Sequence, residues 1–177
     1  QVFFGVVGVL LVGALCGAIN GAIVIYGRLQ PIVTTIATGA VYYGIALAIR
    51  PNPGGSVDET LADFFTGRFF GFIPASLMTL AAVVLVVWVP FSRSVTGRAA
   101  YAVGSSEAAA YMSGVNIRRA KFAAYTLSGL LAGIGGLFLT FFTYTGEAAY
   151  ASGNAYTLFS IAAVVLGGVS LFGGKGS

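Results

Sequence analysis

Four stretches of this chain, residues 2–26, 32–49, 72–91 and 122–142, contain no Asp, Glu, Lys or Arg and consist mainly of Val, Leu, Ile, Ala, Gly and Phe. The hydrocarbon core of a bilayer is about 30 Å thick, so at a rise of 1.5 Å per residue a helix of about 20 apolar residues crosses it. Each stretch is long enough to do so. The expected fold class is therefore all-α, a polytopic membrane helix bundle. A fifth apolar piece, 158–172, is shorter and holds Gly167 and Gly168, so it is read as a half-span, a re-entrant segment or part of a span. Composition agrees: only 8% of residues are charged, against about a quarter in soluble domains.

The chain opens on Gln1, carries no cationic, cleavable leader and stops at "GGKGS" directly after an apolar run. The expectation is a middle portion of one transmembrane domain, residues 1–177, belonging to a longer protein. The net charge of +4 does not point to nucleic acid, because the cations are scattered between apolar segments instead of forming a basic face.

Several kinds of chemistry lack their residues. The chain has no His and one cysteine, Cys16, inside an apolar stretch, so imidazole bases, Ser-His-Asp triads, His metal ligands and an intrachain disulfide are absent. No catalytic residue, metal site or cofactor is expected. Asp58, Glu59 and Asp63 lie close together but lack the spacing of a calcium loop, and are read as a solvated face or a contact for an extracytoplasmic partner. In "GGVSLFGGKGS" a phosphate loop would need Gly at position 169, where Val169 stands, and Ser or Thr after Lys175, where Gly176 stands. A membrane-embedded enzyme would have to use Glu147, the one carboxylate near the outer end of the fourth span, and the sequence offers it no partner.

Orientation follows from the cations, which cytoplasmic loops retain. The loop 92–121 holds Arg93, Arg98, Arg118, Arg119 and Lys121, against Arg50 and Arg68 in the loop 50–71. Loop 92–121 is thus expected in the cytoplasm, together with Arg28 in "GRLQP", and the Pro- and Gly-rich loop 50–71 on the opposite side. Gly13, Gly17 and Gly21, and again Gly129 and Gly133, form small-xxx-small stripes that let helices approach closely in lipid. With no ionisable group inside the four spans, a pathway through them would be lined by neutral groups; the candidates are Asn20, Thr34, Thr35, Thr38, Tyr42 and Tyr43. Such groups also serve simply to hydrogen-bond neighbouring helices.

Loop 92–121 contains "GSSEAAAYMSGVNIRRAK". Ser105 or Ser106 can cap a short helix, Glu107 suits the positive end of its dipole, and Gly114 can end it; the expected helix lies within 104–116. Ala108, Tyr111, Met112 and Val115 follow at i, i+3, i+4 and i+7, giving an apolar stripe on a segment otherwise in water. The stripe could insert into a groove of another protein, lie on lipid, or belong to a plain structured loop. Interfacial helices carry cations on their polar face, whereas here the cations follow the helix, which favours the groove.

These residues carry a resemblance. The run "TGRAAYAVGSSEAAAYMSGVNIRRAKFAAYTLSGLLAGIGG", with "SIAAVVLGGVSLFGGKG" and "GAINGAIVIYGRLQPIVTTIATGAVYYGIAL", resembles the inner-membrane permeases of bacterial sugar ABC importers of the ribose type. The resemblance implies a bacterial inner-membrane, multi-pass permease that works as a pair (homodimer or heterodimer) with a cytoplasmic ABC ATPase and a periplasmic sugar-binding protein. It also implies that Glu107, Ala108, Ala109, Tyr111, Met112, Ser113 and Gly114 lie in the helix that docks on the ATPase. Ribose-type permeases often have an acidic residue shortly before "IAAVVLGG"; here the run is "YTLFS", with Thr157 and no carboxylate, which speaks against ribose itself. The competing reading is a secondary transporter, in which glycine-interrupted helices such as 158–172 are expected.

Overall fold

Residues 2–55, 57, 62–63, 65, 67–69, 73–146, 148 and 154–169 are described by a computed structural model of the chain. The uncharged windows are helices whose ends are set by local punctuation. α1 (Val2–Gly27) and α2 (Pro31–Ile49) are joined by a three-residue turn in which Arg28 takes a left-handed conformation, φ 52°. Pro31 opens α2 at the position where a missing N–H costs nothing and a fixed φ already suits the helix.

α3 (Ala75–Arg93) begins later than the window 72–91, because Ile73–Pro74 pair antiparallel with Arg68–Phe69 in a two-residue ribbon. Its middle, Val84–Trp88, is a π-helical turn, and the Val89 N–H bonds to the Val84 carbonyl five residues back. Pro90 explains why the helix widens there. Its ring would strike the carbonyl four residues earlier and it donates no hydrogen bond, and a wider turn relieves the clash.

α4 (Val95–Ser105), α5 (Glu107–Met112) and α6 (Ile117–Thr143) follow, then α7 (Asn154–Leu166). The helix expected within 104–116 is α5, capped by Ser106 and followed by a turn over residues 113–116 that contains Gly114. A separate helix, α4, runs up to Ser105 ahead of it, and one expectation changes. The cations Arg118, Arg119 and Lys121 sit in the first turns of α6, which starts before the window 122–142. The piece 158–172 is helical through Leu166 and then turns at Gly167 and Gly168; the Gly168 N–H bonds the Val165 carbonyl and the Val169 N–H that of Val164, with Gly168 at φ 82°.

Four helices, α1, α2, α3 and α6, are long and apolar enough to cross a membrane. α1 and α6 approach most closely, along the two glycine stripes. A Cβ on Gly13 would lie 2.6 Å from the Gly129 carbonyl oxygen and 3.2 Å from the Gly133 Cα, and one on Gly17 would overlap the Tyr125 carbonyl oxygen. The stripes thus face one another, backbone to backbone. Elsewhere large apolar side chains point outward, Phe3 and Phe4 on α1 among them, as suits helices whose surroundings are lipid or further helices.

At the other end of α6 the loop 50–71 is fastened to the chain. Gly54 and Gly146 exchange backbone hydrogen bonds of 3.2 and 3.3 Å, the Tyr144 hydroxyl donates to Asp63 Oδ1 at 2.8 Å, and Phe65 stacks on Phe141 with ring centres 5.1 Å apart. Of the remaining carboxylates considered above, Asp58, Glu59 and Glu147 lie outside the described residues, as does the "GGKGS" end.

Candidate functional site

The segment from 94 to 121 is held by three capping side chains. Ser94 Oγ accepts from the Gly97 N–H at 3.0 Å, Ser106 Oγ from the Ala109 N–H at 3.3 Å, and Asn116 Oδ1 from the Arg119 N–H at 3.1 Å. Each satisfies a donor that a helix start leaves open. Trp88 at the end of α3 meets Tyr101 of α4 edge to face at 6.3 Å, so α4 is packed directly against the end of a spanning helix.

α5 is closed at its far end by Gly114. At φ 75° it lets the Gly114 N–H bond the Tyr111 carbonyl and the Val115 N–H bond the Ala110 carbonyl, both at 3.0 Å. This reversal turns the chain into α6 within four residues. Lys121 Nζ, on α6, then reaches back to Glu107 Oε2 at 2.8 Å. The pair is part-exposed and contributes little net stability, about 0.2–1 kcal/mol, yet it closes a loop between the first residue of α5 and the second turn of α6.

α5 divides into an anchored side and an open side. Ala110 is buried, whereas Tyr111 is 74% and Met112 82% exposed. Ala108, Ala109, Ser113 and Gly114 are exposed as well, and Val115 is half-buried. Three of the four residues in the expected apolar stripe therefore stand uncovered on a helix fixed at both ends. The Lys121 partner of Glu107 was not legible, because the two residues lie on different helices and their meeting depends on the turn between them.

Of the neutral candidates within the spans, the structure brings together Asn20 and Tyr42. The Tyr42 hydroxyl has one proton for two acceptors, the Cys16 carbonyl and Asn20 Oδ1, each at 3.2 Å, and so links α2 to α1. Thr34, which is buried, and Thr38 line one groove between the start of α2 and the end of α1. The Thr35 and Thr38 hydroxyls donate to carbonyls of their own helix, Pro31 and Thr34, at 2.9 and 3.0 Å. Tyr43 is half-buried. Tyr42→Phe is expected to cost only about 0.6 kcal/mol in thermal denaturation of the purified protein, the usual size of a hydrogen bond between membrane helices. A much larger loss would mean that the hydroxyl carries more of the α1–α2 contact than this pair of acceptors.

Four membrane-length helices, two of which close on glycine, with neutral polar groups between α1 and α2 and a capped helical segment after α3, make up a polytopic membrane helix bundle. The chain belongs to the family described as "Branched-chain amino acid transport system / permease component", whose profile it matches over residues 1–174. It is 36% identical to the ribose import permease of Haemophilus influenzae over 180 residues, covering 99% of this chain and 55% of that protein. It is 34% identical to the autoinducer 2 import system permease of Photorhabdus luminescens, covering 95% and 52%. With the D-allose transport system permease of Escherichia coli it shares 33% identity, covering 96% and 52%. The chain spans about half the length of the curated relatives it matches. No solved structure matches it.

Proposed function

We propose that this chain forms part of the membrane pathway of an ATP-driven importer for a sugar, a monosaccharide or a similarly small polyhydroxylated solute, across the bacterial inner membrane. In this reading it pairs with a second permease subunit, receives solute from a periplasmic binding protein, and is driven by a separate cytoplasmic ABC ATPase. The ATPase grips α5 through the open side bearing Tyr111 and Met112. The sugar class is drawn from what the relatives are named for.

The observation that carries the reading is α5 itself: a six-residue helix capped by Ser106, reversed by Gly114, pinned by Lys121 and presenting uncovered Tyr and Met side chains. A handle must be rigid to pass on work, since coupling between two sites amounts to about 1–3 kcal/mol and is dissipated by a loop that gives way. From α5 a continuous set of contacts leads inward: through the hydrogen-bonded Gly114 turn, with the Glu107–Lys121 pair beside it, to α6, through Gly129 and Gly133 to α1, and through Asn20 and Tyr42 to α2. Push or pull on α5 therefore reaches the neutral groups proposed to line the path. The absence of Asp, Glu, Lys and Arg from the four apolar windows favours an external motor over ion coupling within these spans.

The test places one cysteine at Met112 in the full-length permease with Cys16 replaced by Ser. In intact cells Met112→Cys should escape a membrane-impermeant maleimide, and in inverted vesicles it should react. With the ATPase present it should cross-link to that subunit. Labelling in intact cells would invert the orientation and end the proposal.

A further inference from the structure

A groove of about 800 Å³ lies between the end of α1 and the segment leading from α5 into α6. Its charged lining consists of Arg28, Arg118 and Lys121 with a single carboxylate, Glu107, and its apolar lining includes Val24, Ile25 and Leu29. Glu107 is already paired with Lys121. Among the described residues neither Arg28 nor Arg118 has an ion-pair partner. We infer that this groove binds the phosphate headgroup of an anionic phospholipid, with Arg28 and Arg118 on the phosphate and the acyl chains leaving along Val24, Ile25 and Leu29.

Three observations favour an amphiphile. The first is the level of the groove: the apolar window of α1 ends just before Arg28, and that of α6 begins at Phe122, directly after Lys121. Both sides change from apolar to cationic at the same place, where headgroups lie if these helices span the membrane. The second is the electrostatics of α6. Its first turn holds no acidic residue, and cations crowd the end where the aligned peptide dipoles are already positive, an arrangement that an anion in the groove would relieve. The third is the mixed lining. A soluble anion has no use for the apolar wall of Val24, Ile25 and Leu29, and although Tyr111 of α5 also borders the groove, that wall lies on α1 and the turn after it, away from α5. A basic pocket between membrane helices, open to the interface, matches a lipid headgroup in charge and shape.

This inference requires the membrane placement of α1 and α6 but not the coupling role of α5, so the two can fail separately. The test uses the full-length permease in nanodiscs of phosphatidylcholine containing increasing phosphatidylglycerol, with bound lipid counted by native mass spectrometry after release. The wild-type protein should retain phosphatidylglycerol over phosphatidylcholine and melt at a higher temperature in its presence. Arg28→Gln and Arg118→Gln should each lower that preference about fivefold, the effect of one cation at a membrane surface, and the corresponding Lys variants should keep most of it. Arg93→Gln, the same charge change outside the groove, should leave it unaltered. Equal retention of the two lipids by the wild type, an equal drop in Arg93→Gln, or displacement of the lipid by soluble glycerol phosphate would overturn the assignment. So would loss of ATPase co-purification in the glutamine variants with lipid retention intact, which would make the groove a protein contact.

Discussion

Gly129→Val should leave almost no folded permease in the membrane. A Cβ at Gly129 would overlap the Gly13 carbonyl oxygen and stand 2.7 Å from the Gly17 Cα. All of these are backbone atoms of α1, so no rotamer change can make room and the two helices must separate. Separation is costly because apolar attraction gives little between helices already in lipid; close van der Waals contact does most of the holding. A gap of about 0.5–1 Å loses a quarter to a half of each such contact. Overpacking a core costs about 1–3 kcal/mol where neighbours can yield, and here they cannot, while total stability is only about 5–15 kcal/mol. Gly129→Ala should fall between, with a lower melting temperature but recoverable protein. Gly136→Ala, on the same helix with no atom within 4 Å of its would-be Cβ, should be neutral or slightly stabilising, because Ala favours helix over Gly by up to about 1 kcal/mol. Membrane yield and melting of the detergent-solubilised protein give the ranking. A Gly129→Val protein that melts like the wild type would show that α1 and α6 are not in contact at this point.

The spans could be read from the sequence because an uncharged window of about 20 residues has few alternatives in lipid. Their details could not. The π turn at Val84–Trp88 leaves no mark in the periodicity, since every residue around it is apolar and no polar face shows a shift of phase; its one signal is Pro90, inside the same apolar window. The glycine stripes were legible as stripes, but which helix met which was decided by the fold. The caps Ser106 and Gly114 were legible because each supplies a specific missing group at a helix end. The preceding helix α4 was not, because Gly97 and Gly104 within it argue against a helix and only the Ser94 cap argues for one. Glu107 with Lys121, and Asn20 with Tyr42, are pairs across helices. Each residue stood out on its own, but no spacing in the sequence announces the partner.

Gly114→Pro should abolish uptake while leaving the spans intact. Gly114 sits at φ 75°, a conformation L-residues disfavour, and donates its N–H to the Tyr111 carbonyl. Proline has φ fixed near −65° and no N–H, so both features are lost together, and the Val115 bond to Ala110 that completes the reversal has no turn to rest on. α5 then no longer returns to α6 within four residues, and Lys121 is carried away from Glu107. The cost of about 3 kcal/mol or more for proline in a conformation it cannot adopt matches or exceeds the 1–3 kcal/mol that coupling between sites typically supplies. With α5 as the proposed handle, uptake should therefore drop by a hundredfold or more, and ATP hydrolysis should stop responding to the solute-loaded binding protein. Membrane yield should stay near wild type, because the α1–α6 contact lies elsewhere. A graded series separates the backbone from the side chain. Asn tolerates the left-handed region best after Gly, Ala pays about 1–2 kcal/mol there, and uptake should follow Gly, Asn, Ala, Pro in that order. Wild-type uptake in the proline variant, at normal yield, would mean that the work of transport enters the membrane through some other part of the protein.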